Sequence, residues 1–108
     1  MTGLVREEFD IPLNSGDMIR VRMVREGKTV VDYLAQFETL IDGEYYPVIR
    51  YDSRHGHPHR DTLDWTGETI DKRWAPAVTT YNRALTDALD DIEANQERYR
   101  EQFLRRRP

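Results

Sequence analysis

The apolar residues of this chain change their spacing once, just past Trp74, and that change leaves few folds open. From Met18 to Trp74 they recur at every second position; from Tyr81 to Phe103 they recur at every third or fourth. The first spacing lines one side of a strand, the second one side of a helix. Strands followed by a helix, rather than strands alternating with helices, predict an α+β domain. A chain of 108 residues holds one such domain. It divides into an N-terminal segment at 1–17, an antiparallel sheet at 18–74 and a C-terminal helix within 77–106.

The strands can be registered from their turns. Ile19, Val21 and Met23 alternate with Arg20 and Arg22, and Val31, Tyr33, Ala35 and Phe37 alternate with Asp32, Gln36 and Glu38. Glu26-Gly27-Lys28 between them predicts a three-residue hairpin loop, with Met23 opposite Val31 and Val21 opposite Tyr33. Asp42-Gly43 is the strongest hairpin signal in the chain and makes Ile41 and Glu44 partners. Continued along the strands, that pairing sets Phe37 opposite Val48, Ala35 opposite Arg50 and Tyr33 opposite Asp52. A six-residue loop at 53–58 then sets Asp52 against His59, Arg50 against Asp61 and Val48 against Leu63. Thr66-Gly67 sets Leu63 against Ile70, Asp61 against Lys72 and His59 against Trp74.

These registers agree on one face, carrying Val21, Met23, Tyr33, Phe37, Val48, Leu63 and Ile70. The expectation is a five-stranded antiparallel meander. Phe9–Leu13 also alternates, but Pro12 limits it to a short edge strand. The helix, from about Thr80 to Arg105 with Thr79 or Thr80 as N-cap, lays its Tyr81–Phe103 stripe across that face. Its length exceeds the width of five strands, so Tyr99 and Phe103 are expected to overhang and to offer a homodimer contact.

The histidines are the most concentrated chemical signal. All three lie in His55-Gly56-His57-Pro58-His59, flanked by Arg50, Asp52, Arg54, Arg60 and Asp61. By the expected register Arg50, Asp52, His59, Asp61 and Lys72 fall on the core face, where charge is costly unless paired. Imidazole moves protons near neutrality, a carboxylate orients it, and Arg and Lys stabilise charge on phosphate oxygens. That set suffices for metal-independent RNA cleavage, in which the 2′-hydroxyl is the nucleophile. His57 and His59 with Asp52 or Asp61 equally suit Zn²⁺, Mn²⁺ or Fe²⁺. The same loop also fits a solvated turn, with Arg50–Asp61 an ordinary cross-strand ion pair.

Composition closes other routes. There is no cysteine, which removes disulfides, thiolate metal sites and thiol nucleophiles. No apolar run approaches the ~18 residues of a membrane helix, and no leader pattern opens the chain, so a cytoplasmic protein is expected. With 20 acidic and 16 basic residues the net charge is −4, so nucleic-acid binding requires a local basic patch. Neither a nucleotide-binding glycine loop nor a nucleophile elbow is present, and no organic cofactor is expected.

The stretch Val48-Ile-Arg-Tyr-Asp-Ser-Arg-His-Gly-His-Pro-His-Arg-Asp61 resembles a family of small prokaryotic proteins that carry R-Y-D, two or three residues, H-G, then H-R-D or H-x-H, and end in one helix. More distantly it resembles the TumE-type toxins of toxin–antitoxin pairs, with Ser53-Arg54 where those have Asn-Ala. The resemblance spans about residues 44–103 and marks Arg50, Asp52, His55, His59 and Asp61. It implies a small toxin-like protein acting on RNA or another phosphate-bearing substrate, with RNA or an antitoxin-like protein as partner. In that reading His59 is the general acid or base, oriented by Asp52 or Asp61. His55 and His57 supply the second proton-transfer group, and Arg50 and Lys72 stabilise charge. The alternatives are a non-catalytic interaction module and a divalent-metal domain, whose ligands would include His57 and His59.

Overall fold

A computed structural model describes residues 3–77 and 79–108. Six strands form one antiparallel sheet in chain order: β1 (Leu4–Pro12), β2 (Met18–Glu26), β3 (Thr29–Ile41), β4 (Glu44–Asp52), β5 (His59–Leu63) and β6 (Thr69–Trp74). The helix α1 (Tyr81–Arg105) follows. The α+β class and the meander are as the periodicity predicts, but the sheet has six strands, not five. The segment before Met18 forms a full strand of nine residues at the edge, with Pro12 closing it. There, at its last residue, the missing N–H of proline costs the ladder least.

Two bulges reset the expected registers. Glu26 pairs Thr29 across a two-residue Gly27-Lys28 turn, with Gly27 at φ 59°. Val31 is then the extra residue, and beyond it Met23 faces Tyr33 and Val21 faces Ala35. This is a slip of two from the expected pairing, so the faces are preserved. The second bulge has a larger effect. Asp42-Gly43, both at positive φ, makes the expected hairpin, and Ile41 pairs Glu44. After Glu38↔Pro47 the partner of Phe37 is Ile49, not Val48. Pro47 has no N–H to give a central ladder, and the extra residue sits directly beside it. The slip is of one residue, and it exchanges the two faces for the rest of β4.

Beneath the helix lie Ile19, Val21, Tyr33, Ala35, Phe37, Val48 and Ile49, packed against Ala84, Leu85, Ile92, Tyr99 and Phe103. Ile70, expected in this core, is half exposed because a further register shift at Leu63 pairs that residue with Thr69.

The helix runs along β3, not across the sheet. Thr80 caps it by accepting from the Arg83 N–H, and Asn82 at its start bonds the backbone of Lys28 and Val30. At its end Arg100 donates to the Leu40 carbonyl. The 25 helical residues span about 37 Å and the 13 of β3 about 43 Å, so nothing overhangs. Tyr99 and Phe103 are buried within the chain, which corrects the expected overhang. Phe103 stacks on Trp65 at 4.4 Å, and the indole N–H of Trp65 donates to the Phe103 carbonyl at 2.8 Å.

Candidate functional site

The pairing of β4 with β5 brings the expected residues together. Asp52 is opposite His59, Arg50 opposite Asp61, and β6 sets Lys72 opposite Asp61 and Trp74 opposite His59. Their face is the correction. The Val48 bulge turns Ile49 and Tyr51 toward the helix, so Arg50 and Asp52 look out from the opposite, open face. They stand beside Gln36 and Leu34 of β3 there, not over the core.

Although no helix covers them, Asp52, His59 and Asp61 are buried, at 5%, 3% and 6% exposure. Trp74 supplies part of the cover: its indole lies 5.2 Å from the His59 ring, with Lys72 Nζ 5.5 Å from its centre. His59 Nε2 is 3.0 Å from Asp52 Oδ1 and 3.7 Å from Asp61 Oδ2, and Lys72 Nζ is 3.3 Å from Asp61 Oδ1. That last contact is ionic without hydrogen-bond alignment, because the Asp61 oxygen has no hydrogen-bond partner among the described residues. Paired charge of this kind is tolerated inside a protein, whereas one member left alone is not.

Other expected roles fall elsewhere. Arg50 forms no ion pair with Asp61 among the described residues; its Nε donates to Gln36 Oε1 at 2.8 Å. His57 stands apart from the carboxylates, with Nε2 2.8 Å from the Ala75 carbonyl oxygen. It therefore does not join His59 in a ligand pair. The His55 side chain lies outside the described residues; its backbone belongs to a short 3-10 turn at Arg54–Gly56. Ser53, before that turn, ties the loop to β3: its hydroxyl accepts from the Tyr33 N–H and donates to Asp32.

Sequence reasoning missed the rest of the open face. A groove of about 590 Å³ is lined by Glu8, Asp10, Arg20, Arg22, Arg50 and Arg54, among others. An adjoining hollow of about 310 Å³ shares Glu8, Arg22 and Arg54 and adds Arg6 and Asp52. Arg20 is committed to Glu38 at 2.8 Å. Arg22 and Arg54 make no side-chain ion pair among the described residues. The signal lay in β2, where Arg20 and Arg22 alternate with core residues. Seeing that Arg50 joins them required reading Pro47 as a bulge.

A second polar cluster sits under the helix. Tyr51 donates to Asp91 Oδ2 at 2.5 Å, Tyr99 donates to the same oxygen, and Arg60 donates to the Tyr99 hydroxyl at 3.2 Å. Burial and the Asp91 carboxylate raise both phenols. Burial, then the charge of Asp52, pushes the Tyr33 phenol up to about 12. All three phenols stay protonated near neutrality, and those of Tyr51 and Tyr99 fasten α1 to β4 and β5.

No helix is long and apolar enough to cross a membrane among the described residues. No curated protein and no solved structure matches the chain significantly. A family model does match, over residues 4–108, which takes in all six strands and the helix. The chain therefore belongs to DUF7718, a domain family of unknown function.

Proposed function

We propose that this protein is a small toxin-like module that takes RNA, or another phosphate-bearing chain, on the open face of its sheet. The observation that carries the reading is the pair Arg22 and Arg54, two guanidinium groups in a groove with no ion-pair partner among the described residues. On a chain of net charge −4, free arginines gathered in one groove are the local patch that phosphate recognition requires. Arg50, held by Gln36, adds a third donor on the same wall.

The geometry favours binding over histidine-driven cleavage. The His59 side chain is 2% exposed and its Nε2 faces Asp52, so it reaches no groove-bound substrate directly. Its place is behind Asp52, whose carboxylate contributes to the hollow's wall. The test is fluorescence anisotropy with a labelled single-stranded RNA over a salt series. Three phosphate contacts predict a log–log salt slope of about −2. Arg22→Glu with Arg54→Glu should weaken binding at least about tenfold and leave Tm unchanged. An RNA affinity indifferent to that double variant overturns the reading.

A different surface favours a second reading, a non-catalytic interaction module. Edge strand β1 exposes Leu4, Val5 and Phe9, at 64%, 39% and 42%, beside unpaired backbone groups. An antitoxin-like protein or a second copy of the chain would add a strand there. Light scattering of wild type against Val5→Lys tests the second copy: a concentration-dependent dimer lost in the variant supports it, and a monomer at all concentrations rejects it.

A further inference from the structure

We propose that Asp52, His59 and Asp61 form a divalent-cation site at the inner end of the open face. The site does not depend on the phosphate reading and is tested without nucleic acid. His59 Nδ1 lies 3.2 Å from the His57 carbonyl oxygen, which only accepts, so Nδ1 carries the ring's hydrogen. In the neutral ring Nε2 then presents a lone pair. It faces Asp52 Oδ1 at 3.0 Å and Asp61 Oδ2 at 3.7 Å. Three electron-pair donors thus converge in a buried space, and something positive must stand among them.

A proton on Nε2 would answer for Asp52 while Lys72 answers for Asp61; a metal ion answers for Asp52 and engages Asp61 Oδ2 and the Nε2 lone pair as well. Asp61 is itself more than nine-tenths buried; its Oδ1 stands against Lys72 without a hydrogen bond among the described residues, and its Oδ2 faces Nε2. Lys72 compensates one of the two carboxylate charges and leaves the other. A cation answers for the whole set. One donor atom from each residue lies within 4.8 Å of the other two. An ion about 2.0–2.2 Å from its ligands sets neighbouring donors about 3 Å apart, and opposite ones about 4.2 Å. The two separations from His59 Nε2, 3.0 and 3.7 Å, fall in that interval.

The surroundings match as well. An imidazole that binds metal through one nitrogen is ordinarily fixed by a hydrogen bond from the other, as the His57 carbonyl fixes Nδ1 here. Two carboxylates and one imidazole suit Mn²⁺, Fe²⁺ or Zn²⁺ rather than a soft ion. The pattern is Asp, six loop residues, then His-x-Asp, so the hairpin itself delivers all three ligands to one face.

The experiment uses full-length protein stripped with EDTA and titrated with MnCl₂ or ZnCl₂ by calorimetry and thermal melting. One ion per chain with micromolar Kd is expected, with Tm raised by on the order of 10 °C at a hundredfold excess over Kd. Asp61→Asn, which keeps the side chain's volume, should weaken binding at least about tenfold. Because that variant could lose its fold, the wild type carries its own check. Mn²⁺ bound to it should show electron-spin-echo coupling to an imidazole nitrogen. Absence of binding at millimolar metal, or a bound Mn²⁺ without nitrogen coupling, overturns the proposal. Metal affinity unchanged in a folded Asp61→Asn overturns it too. Success or failure of RNA binding has no bearing on any of these readouts.

Discussion

The two faces of the sheet solve the problem of polar groups in opposite ways. Under the helix the neutral phenols of Tyr51 and Tyr99 share one carboxylate oxygen of Asp91, next to an apolar core from Ile19 to Phe103. On the open face nothing apolar of comparable size provides cover, and the buried groups are a histidine and two aspartates. The first arrangement costs less desolvation, because its charged members, Asp91 and Arg60, are only partly buried and the hydroxyls between them carry no charge. The second is tolerable only while its charges stay matched. Charged groups that secure a fold can stay near the surface; a persistent buried charge set, with arginines alongside that have no ion-pair partner among the described residues, is where function should be sought.

The comparison can be broken from either side. Phe103→Ala empties a fully buried site under the helix and should cost about 3–5 kcal/mol in chemical denaturation. His59→Gln on the open face should cost about 3 kcal/mol, the low end of the range for breaking a buried charge set, since Lys72 still serves Asp61. A His59→Gln protein as stable as wild type would show that the charges there are not coupled. Asp91→Asn should cost about 1.5–3 kcal/mol, as the charge-assisted bonds from two phenols weaken.

The alkaline limb of stability sharpens the contrast. Tyr33, Tyr51 and Tyr99 have raised folded-state pKa values, so the stability they contribute is complete below pH 10 and is lost as pH climbs through the folded values. For Tyr33 the loss runs from about 10 to about 12. Absorbance at the phenolate band should show these tyrosines ionising late and together with unfolding. Smallest of all, Arg22→Ala should shift stability by no more than about 0.5 kcal/mol, since its side chain has no ion-pair partner to lose among the described residues.

Much of this was legible in the residues. The Asp42-Gly43 turn, the pairs Asp52↔His59, Arg50↔Asp61, Asp61↔Lys72 and His59↔Trp74, and the Thr80 cap all follow from local chemistry. What was not legible was parity. Alternation shows which residues share a face only while pairing is unbroken, and an extra residue is invisible to it. Val31 gave no warning of its bulge. Pro47 did give one, as a residue unable to donate in a central strand, and reading it would have moved Arg50 and Asp52 to their true face. The helix direction was equally hidden, since a stripe of apolar residues states its length but not its course. That is why Tyr99 and Phe103 seemed surplus to a sheet measured across its width.

The bulge at Val48 gives β4 one place where a residue can be lost without changing the face of any other. Replacing Val48 by Ile or Ala changes volume and nothing else about the ladder. Deleting it removes the bulge and leaves Ile49 opposite Phe37, Arg50 opposite Gln36 and Tyr51 opposite Ala35, so Tyr51 stays beneath α1, Arg50 and Asp52 stay on the open face, and only the buried Val48 side chain is lost. The extra codon adds to the inside of this protein, and its loss would leave every functional side chain on the side it occupies now.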